Sequence, residues 1–135
     1  MRRLATVLVL LGGLAACASP PESLGVDLDA GRETFGRLCA ACHGGSGQGG
    51  SAPALTSVLE TFPACDMQMQ WITLGSEGWK DQVGPTYGAP GKEITAVMPS
   101  FGSVLTEEEI RQVAAFERSF IAEGAADAVL ADCGL

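Results

Sequence analysis

Basic side chains are scarce in this chain and histidine is scarcer. Eight Lys and Arg stand against 16 Asp and Glu, a formal charge of −8. That balance excludes a phosphate-neutralising nucleic-acid surface and an electrostatic grip on anionic lipid. It suits a positively charged partner face, whose approach salt would slow, as well as plain solubility. With one histidine, a zinc site of mixed Cys and His ligands is short of donors. No strand alternation or βαβ pattern surrounds the cysteines, so the setting of a dithiol oxidoreductase is missing. The longest apolar run, Leu4 to Leu14, falls short of the roughly 20 residues a membrane-spanning helix needs. Aromatics are few (five Phe, two Trp, one Tyr) and glycines are many. Side chains alone fill such a core thinly, which leaves room for another occupant.

What is present begins with an export signal. Arg2 and Arg3 precede the apolar run, and small residues follow it. Leu14-Ala15-Ala16-Cys17 resembles the lipobox of bacterial lipoproteins, in which the Cys is acylated and cleavage falls just before it. Several fatty chains on one residue hold a protein on a bilayer where a single chain holds it marginally. The alternative is ordinary cleavage after Ala16-Cys17-Ala18, which would release a soluble protein. The expected organisation is a signal peptide over 1–16, a lipidated Cys17 with a short linker over 17–26, and one domain over 27–135. Removing 1–16 takes away Arg2 and Arg3 and no acid, which leaves six bases against 16 acids and a charge of −10. The linker Ala18 to Gly25 contains Pro20-Pro21 and reaches about 25 Å if extended, so the domain would sit close to the membrane, inner or outer.

The domain reads as all-α. Leu28, Gly31, Phe35 and Leu38 recur at helical spacing into Cys39, with Asp27 as the predicted cap and Gly44-Gly45 as the stop. Ser57 to Phe62 reads as a short helical turn. Asp66 is the expected cap of a helix carrying Met67, Trp71 and Leu74 and ended by Gly75. Gly78 to Ser100 reads as an irregular loop. Thr106-Glu107-Glu108-Glu109 is a capping box, with Leu105 and Ile110 as its hydrophobic staple. Ile110, Val113, Phe116 and Phe120 form the predicted buried stripe of the last helix, which Gly124 closes.

The chemistry concentrates in "CAACHGGSGQGG", residues 39 to 50. Cys39-Ala40-Ala41-Cys42-His43 is the C-x-x-C-H pattern of covalent haem attachment. On a helix end the two sulfurs, at i and i+3, point the same way and can add to the two vinyl groups of one haem. His43, one residue on, is carried over the ring and offers a nitrogen to iron. The ligating form is the neutral imidazole, held by a bond from its other N–H to a carbonyl.

Two longer stretches, "CHGGSGQGGSAPAL" and "VMPSFGSVLTEEEIRQVAAF", resemble class I c-type cytochromes, the single-haem electron carriers. The resemblance runs from about Asp27 to Ala122. It implies the cytochrome c fold, with first and last helices crossing where Gly31 and Phe35 meet Val113 and Phe116. It implies haem c as cofactor, bound through Cys39 and Cys42, with His43 and Met98 as axial ligands of the iron. By the same resemblance the Pro53 carbonyl receives the second N–H of His43, and Leu55 packs on the haem. Trp71, Trp79 and Tyr87 are candidates for bonds to the propionates. Met67 and Met69 compete with Met98 as thioethers, and with Cys65 they also suggest a copper site. A Met beside Pro99 on a loop reaches over the ring without disturbing a helix, which favours Met98.

Cys65 and Cys133 remain, an even pair in an oxidising compartment. They are expected to join as a disulfide; two free thiols or a bond to a partner are the alternatives. The functional expectation is a membrane-anchored carrier that moves single electrons between redox partner proteins on the periplasmic side of the cell envelope, free or as the haem subunit of a larger oxidoreductase. The rival is a haem enzyme or gas sensor in which Met98 is displaced, with a distal Arg or Glu in place of the absent second histidine.

Overall fold

The computed structural model describes residues 23–135, with side chains from Leu28 onward. The expected cleavage sites, Cys17 and most of the linker lie outside the described residues. The described residues form six α-helices, two π turns and one minimal hairpin. Helix α1 (Ser23–Thr34) runs on through a π turn (Phe35–Cys39) into α2 (Ala40–His43), so one helical rod ends on the C-x-x-C-H segment. It begins four residues before the expected cap, which puts Asp27 inside the helix. No proline interrupts 23–27, and packing downstream outweighs the weak propensity of Gly25. The rod ends at Gly44, as expected.

Helix α5 (Glu107–Phe116) crosses α1 and is started by the expected capping box. The Thr106 N–H donates to the Glu109 carboxylate at 2.8 Å, and the Glu109 N–H donates to Thr106 Oγ1 at 3.2 Å. The crossing closes on Gly31, where a Cβ would collide with the Gln112 carbonyl and sit 2.8 Å from the Phe116 Cβ. The Phe35 and Phe116 rings lie 5.6 Å apart. After Phe116 the chain makes a π turn (Glu117–Ile121), and this corrects the predicted stripe. An i→i+5 turn moves the inward position from Phe120 to Ile121. Ile121 is buried, whereas Phe120 is 54% exposed. Phe120 stacks outside on Phe116, with the Arg32 guanidinium 5.0 Å from its ring.

Helix α3 (Val58–Thr61) fills the expected turn, and α4 (Cys65–Gln82) follows. Asp66 does not cap α4. It sits in the first turn and accepts from the Met67 N–H, while Asp132, far along the chain, accepts the Cys65 N–H at 2.9 Å. Nor does α4 stop at Gly75. It kinks there (φ 63°, ψ −177°) and resumes to Gln82, because Trp79 on the resumed part buries itself edge-on against Trp71. The expected irregular loop also contains two short strands, β1 (Thr86–Tyr87) and β2 (Lys92–Glu93), paired antiparallel with Tyr87 opposite Lys92. Strands of two residues are too short to show any alternation.

The tail is more ordered than its sparse apolar content suggests. Helix α6 (Ala126–Cys133) buries Val129 and Leu130, and Cys133 is bonded to Cys65 with the Cα atoms 5.2 Å apart. Two apolar clusters result. One surrounds Phe35, Ile72, Val113 and Leu130, and the other surrounds Val58, Phe62, Trp71 and Trp79; Met98 packs against both. A cavity opens where they meet, lined by residues of each. Among the described residues no helix is long and apolar enough to cross a membrane.

Candidate functional site

The cavity gathers Cys39, Cys42 and His43 from the end of the first rod, Pro53 and Leu55 from the glycine-rich loop, and Met98 from the loop after the hairpin. The His43 wall is set by short-range backbone bonds. The N–H groups of Gly44, Gly47 and Gly49 donate to the carbonyls of Ala40, Gly44 and His43, and the Ala52 N–H donates to the Cys42 carbonyl at 3.1 Å. This folding of the loop under the helix end brings the Pro53 carbonyl to 2.8 Å from His43 Nδ1. A carbonyl only accepts, so Nδ1 carries the proton and Nε2 keeps its lone pair.

Cys39 is half-buried and Cys42 is exposed; both are free. Burial, then the nearby Glu117, then Cys42 push the Cys39 thiol up to about 12. A dithiol oxidoreductase needs the opposite, a thiolate stabilised near neutral pH. Cys39 is therefore poorly suited to attack a disulfide.

Met98 is held from α4. The kink at Gly75 frees the Ser76 N–H, which donates to the Met98 carbonyl at 2.9 Å, and the Met98 N–H donates to Ser76 Oγ at 3.0 Å. A Cβ on Gly75 would meet the Met98 carbonyl, Pro99 C and Ser100 N at 2.6 Å each. Ser100 Oγ and the Gly102 N–H bond the Thr73 carbonyl, which fixes the loop on the other side of Met98. Met67 and Met69 are half-buried against the second and first clusters and do not line the cavity. Cys65 is engaged by Cys133, so it offers no thiolate for copper.

Of the three aromatic candidates, Trp71 and Tyr87 line the cavity and stack at 4.5 Å. Trp79 does not, and its N–H donates to the Thr86 carbonyl at 2.9 Å. Sequence reasoning missed Ser76, whose role depends on the kink before it. It also missed Glu117 in the cavity wall. The signal for Glu117 is its spacing: it follows Val113 by four residues, where the π turn continues the buried face of α5.

A family model described as cytochrome c oxidase, cbb3-type, subunit III, matches residues 26–116. No curated protein matches the chain. The family's group is haem c, and the cavity fits it. Two free thiols at i and i+3, an imidazole with its Nε2 lone pair unspent and a thioether line one apolar cavity between two clusters. The match runs from α1 through the C-x-x-C-H segment and Met98 to the end of α5, two thirds of the sequence. The chain belongs to the cbb3-type cytochrome c oxidase subunit III family, and it is a c-type cytochrome of all-α fold whose covalently bound haem c serves electron transfer.

Proposed function

We propose that the chain is a one-haem carrier of single electrons, not a catalyst, anchored to a membrane surface through Cys17. Cys39 and Cys42 would form the thioether links, and His43 and Met98 would hold the iron. Bound there, the haem supplies a one-electron Fe(III)/Fe(II) couple, which a thioether ligand biases toward the ferrous form. The chain's part is to hold both ligands so that no position is left for substrate. Pro53 fixes the tautomer and ring plane of His43. Ser76 and Gly75 fix the backbone at Met98. Leu55, Ile72 and Phe101 keep water from the cavity.

The observation that carries this reading is the meeting of His43 and Met98 in one apolar cavity, each held by its own hydrogen bond. The family description supports an extracytoplasmic, membrane-associated place, as carrier or as haem subunit of an oxidase; the periplasmic side and redox proteins as partners belong to the proposal. The test is the absorption spectrum of the full chain, ferric and ferrous, with and without CO, taken on the membrane fraction and again for Cys17→Ser. The expected result is low-spin ferrous bands, a weak ferric sulfur-to-iron charge-transfer band, no CO response, and release of Cys17→Ser into the soluble fraction. A high-spin spectrum that shifts at once with CO would replace the carrier by an enzyme or sensor. A membrane-bound Cys17→Ser would remove the lipid anchor.

A further inference from the structure

Glu117 is the first residue past the stretch the family model covers, and it places a carboxyl in the wall of the haem cavity. It is 5% exposed. Its partner is Gln68, whose Nε2 donates to Oε2 at 2.7 Å. The orientation of that amide is itself fixed, because Arg118 Nη1 donates to Gln68 Oε1 at 3.3 Å. Arg118 also donates through its two Nη groups to the Phe62 and Pro63 carbonyls and to Asp132 of α6, while its buried Nε has no partner, and it forms no ion pair with its neighbour Glu117. Gln68 thus leaves Glu117 Oε1 as the free acceptor.

The other charged and titratable groups that face this region are few. Cys39 approaches from the π turn and is consumed by haem attachment. Tyr87, Lys92 and Glu93 come from the hairpin, with Lys92 Nζ bonded to Thr61 Oγ1 at 2.7 Å; His43 closes the remaining side. Helix α3 offers Glu60, which is exposed, and the buried face of α5 is apolar. Glu117 is therefore a buried carboxyl with one neutral hydrogen bond and no counter-charge. Burial pushes it up to about 8, against the lowering effect of Gln68.

Resting on the reading that the haem bound by His43 and Met98 cycles between ferric and ferrous, we propose that Glu117 is a proton-binding site coupled to electron transfer. For each electron accepted from a donor protein, the Glu117 carboxylate takes one proton from water and forms an O–H bond. When the electron passes to the acceptor, that bond breaks and the proton returns to water. The ferric site carries one more positive charge and favours the carboxylate; the ferrous site withdraws that charge and favours the acid. Electron and proton arrive together, and the net charge of the cavity stays constant.

The test is an equilibrium potential titration of the full haem-loaded chain from pH 5 to 10, for wild type and Glu117→Gln. Glutamine keeps the shape and the acceptor for Gln68 but cannot ionise. The sulfur-to-iron band and silence toward CO are checked first; their absence would sink both the carrier reading and this proposal. With ligation intact, the wild-type potential should fall as pH rises through the region of 8. Its slope should approach one proton per electron, about 59 mV for each tenfold change in proton activity. Glu117→Gln should be flat over the same range. A flat wild type, or an undiminished slope in Glu117→Gln, would overturn the proposal alone, the latter by assigning the proton to a propionate, Tyr87 or Lys92. If Glu117→Gln does not load haem, reduced-minus-oxidised infrared spectra of the wild type decide. A protonated carboxyl band that appears on reduction and shifts with carbon-13 glutamate, with haem supplied unlabelled, supports the site, and its absence overturns it.

Discussion

The His43 and Met98 walls of the same cavity are held over different stretches of chain. His43 is fixed by Pro53, ten positions away, and by backbone bonds confined to residues 40–55. Met98 is fixed by Ser76, 22 positions away, and Ser100 by Thr73, 27 positions away. Helix α4, which supplies those residues, is in turn tied at its start to α6 by the Cys65–Cys133 bond across 68 positions, and by Asp132. The first wall closes a short loop; the second depends on packing between distant elements, whose closure costs more entropy. The Met98 wall should therefore open at lower free energy than the His43 wall.

The largest expected effect is global. Replacing the disulfide by Cys65→Ser with Cys133→Ser frees a loop of 68 residues, worth about 4 kcal/mol in the chain-entropy estimate. Denaturant unfolding of the haem-loaded protein should show that loss, and unchanged stability would mean that α4 needs no covalent tie to α6. Gly75→Ala is next. Its φ of 63° with ψ near 180° is a conformation left essentially to glycine, and the new Cβ would strike the backbone of Met98, Pro99 and Ser100. The expected cost is about 2–3 kcal/mol. It should be accompanied by loss of the sulfur-to-iron band while the thioethers and His43 remain in place. Retention of that band with full stability would break the comparison, since the kink would then not govern Met98.

The same contrast decides how much was legible in the sequence. Features set within a few residues were readable: the C-x-x-C-H segment, its glycine-rich return to Pro53, the capping box at Thr106 and the staple around it. Resemblance supplied Met98, because nothing local to residue 98 shows that Ser76 will hold it. What sequence misplaced was set at a distance or by a change of helical period. The cap of α4 comes from Asp132, the helix resumes after Gly75 because Trp79 has Trp71 to pack on, and the π turn at Glu117 moves burial from Phe120 to Ile121. Helix α6 has two large aliphatic residues, Val129 and Leu130, which become anchors because Cys133 is held beside them.

Ser76→Ala makes the smallest and most selective cut. The side chain is fully buried, and its hydroxyl accepts the Met98 N–H at 3.0 Å and donates to the Met98 carbonyl at 3.4 Å, while the backbone bond from the Ser76 N–H to that carbonyl survives the substitution. Losing the hydroxyl and leaving the Met98 N–H unpaired costs about 1 kcal/mol. If the wall behind Met98 opens separately from the rest, that loss falls on local opening. The sulfur-to-iron band should then fade at a temperature several degrees lower than in the wild type, with the midpoint of helix unfolding nearly unmoved. Followed by absorbance and circular dichroism in one heating scan, the two transitions should separate further in the variant. If they shift together, the cavity opens as one unit, and the short-range and long-range walls differ in how they are built but not in how they yield.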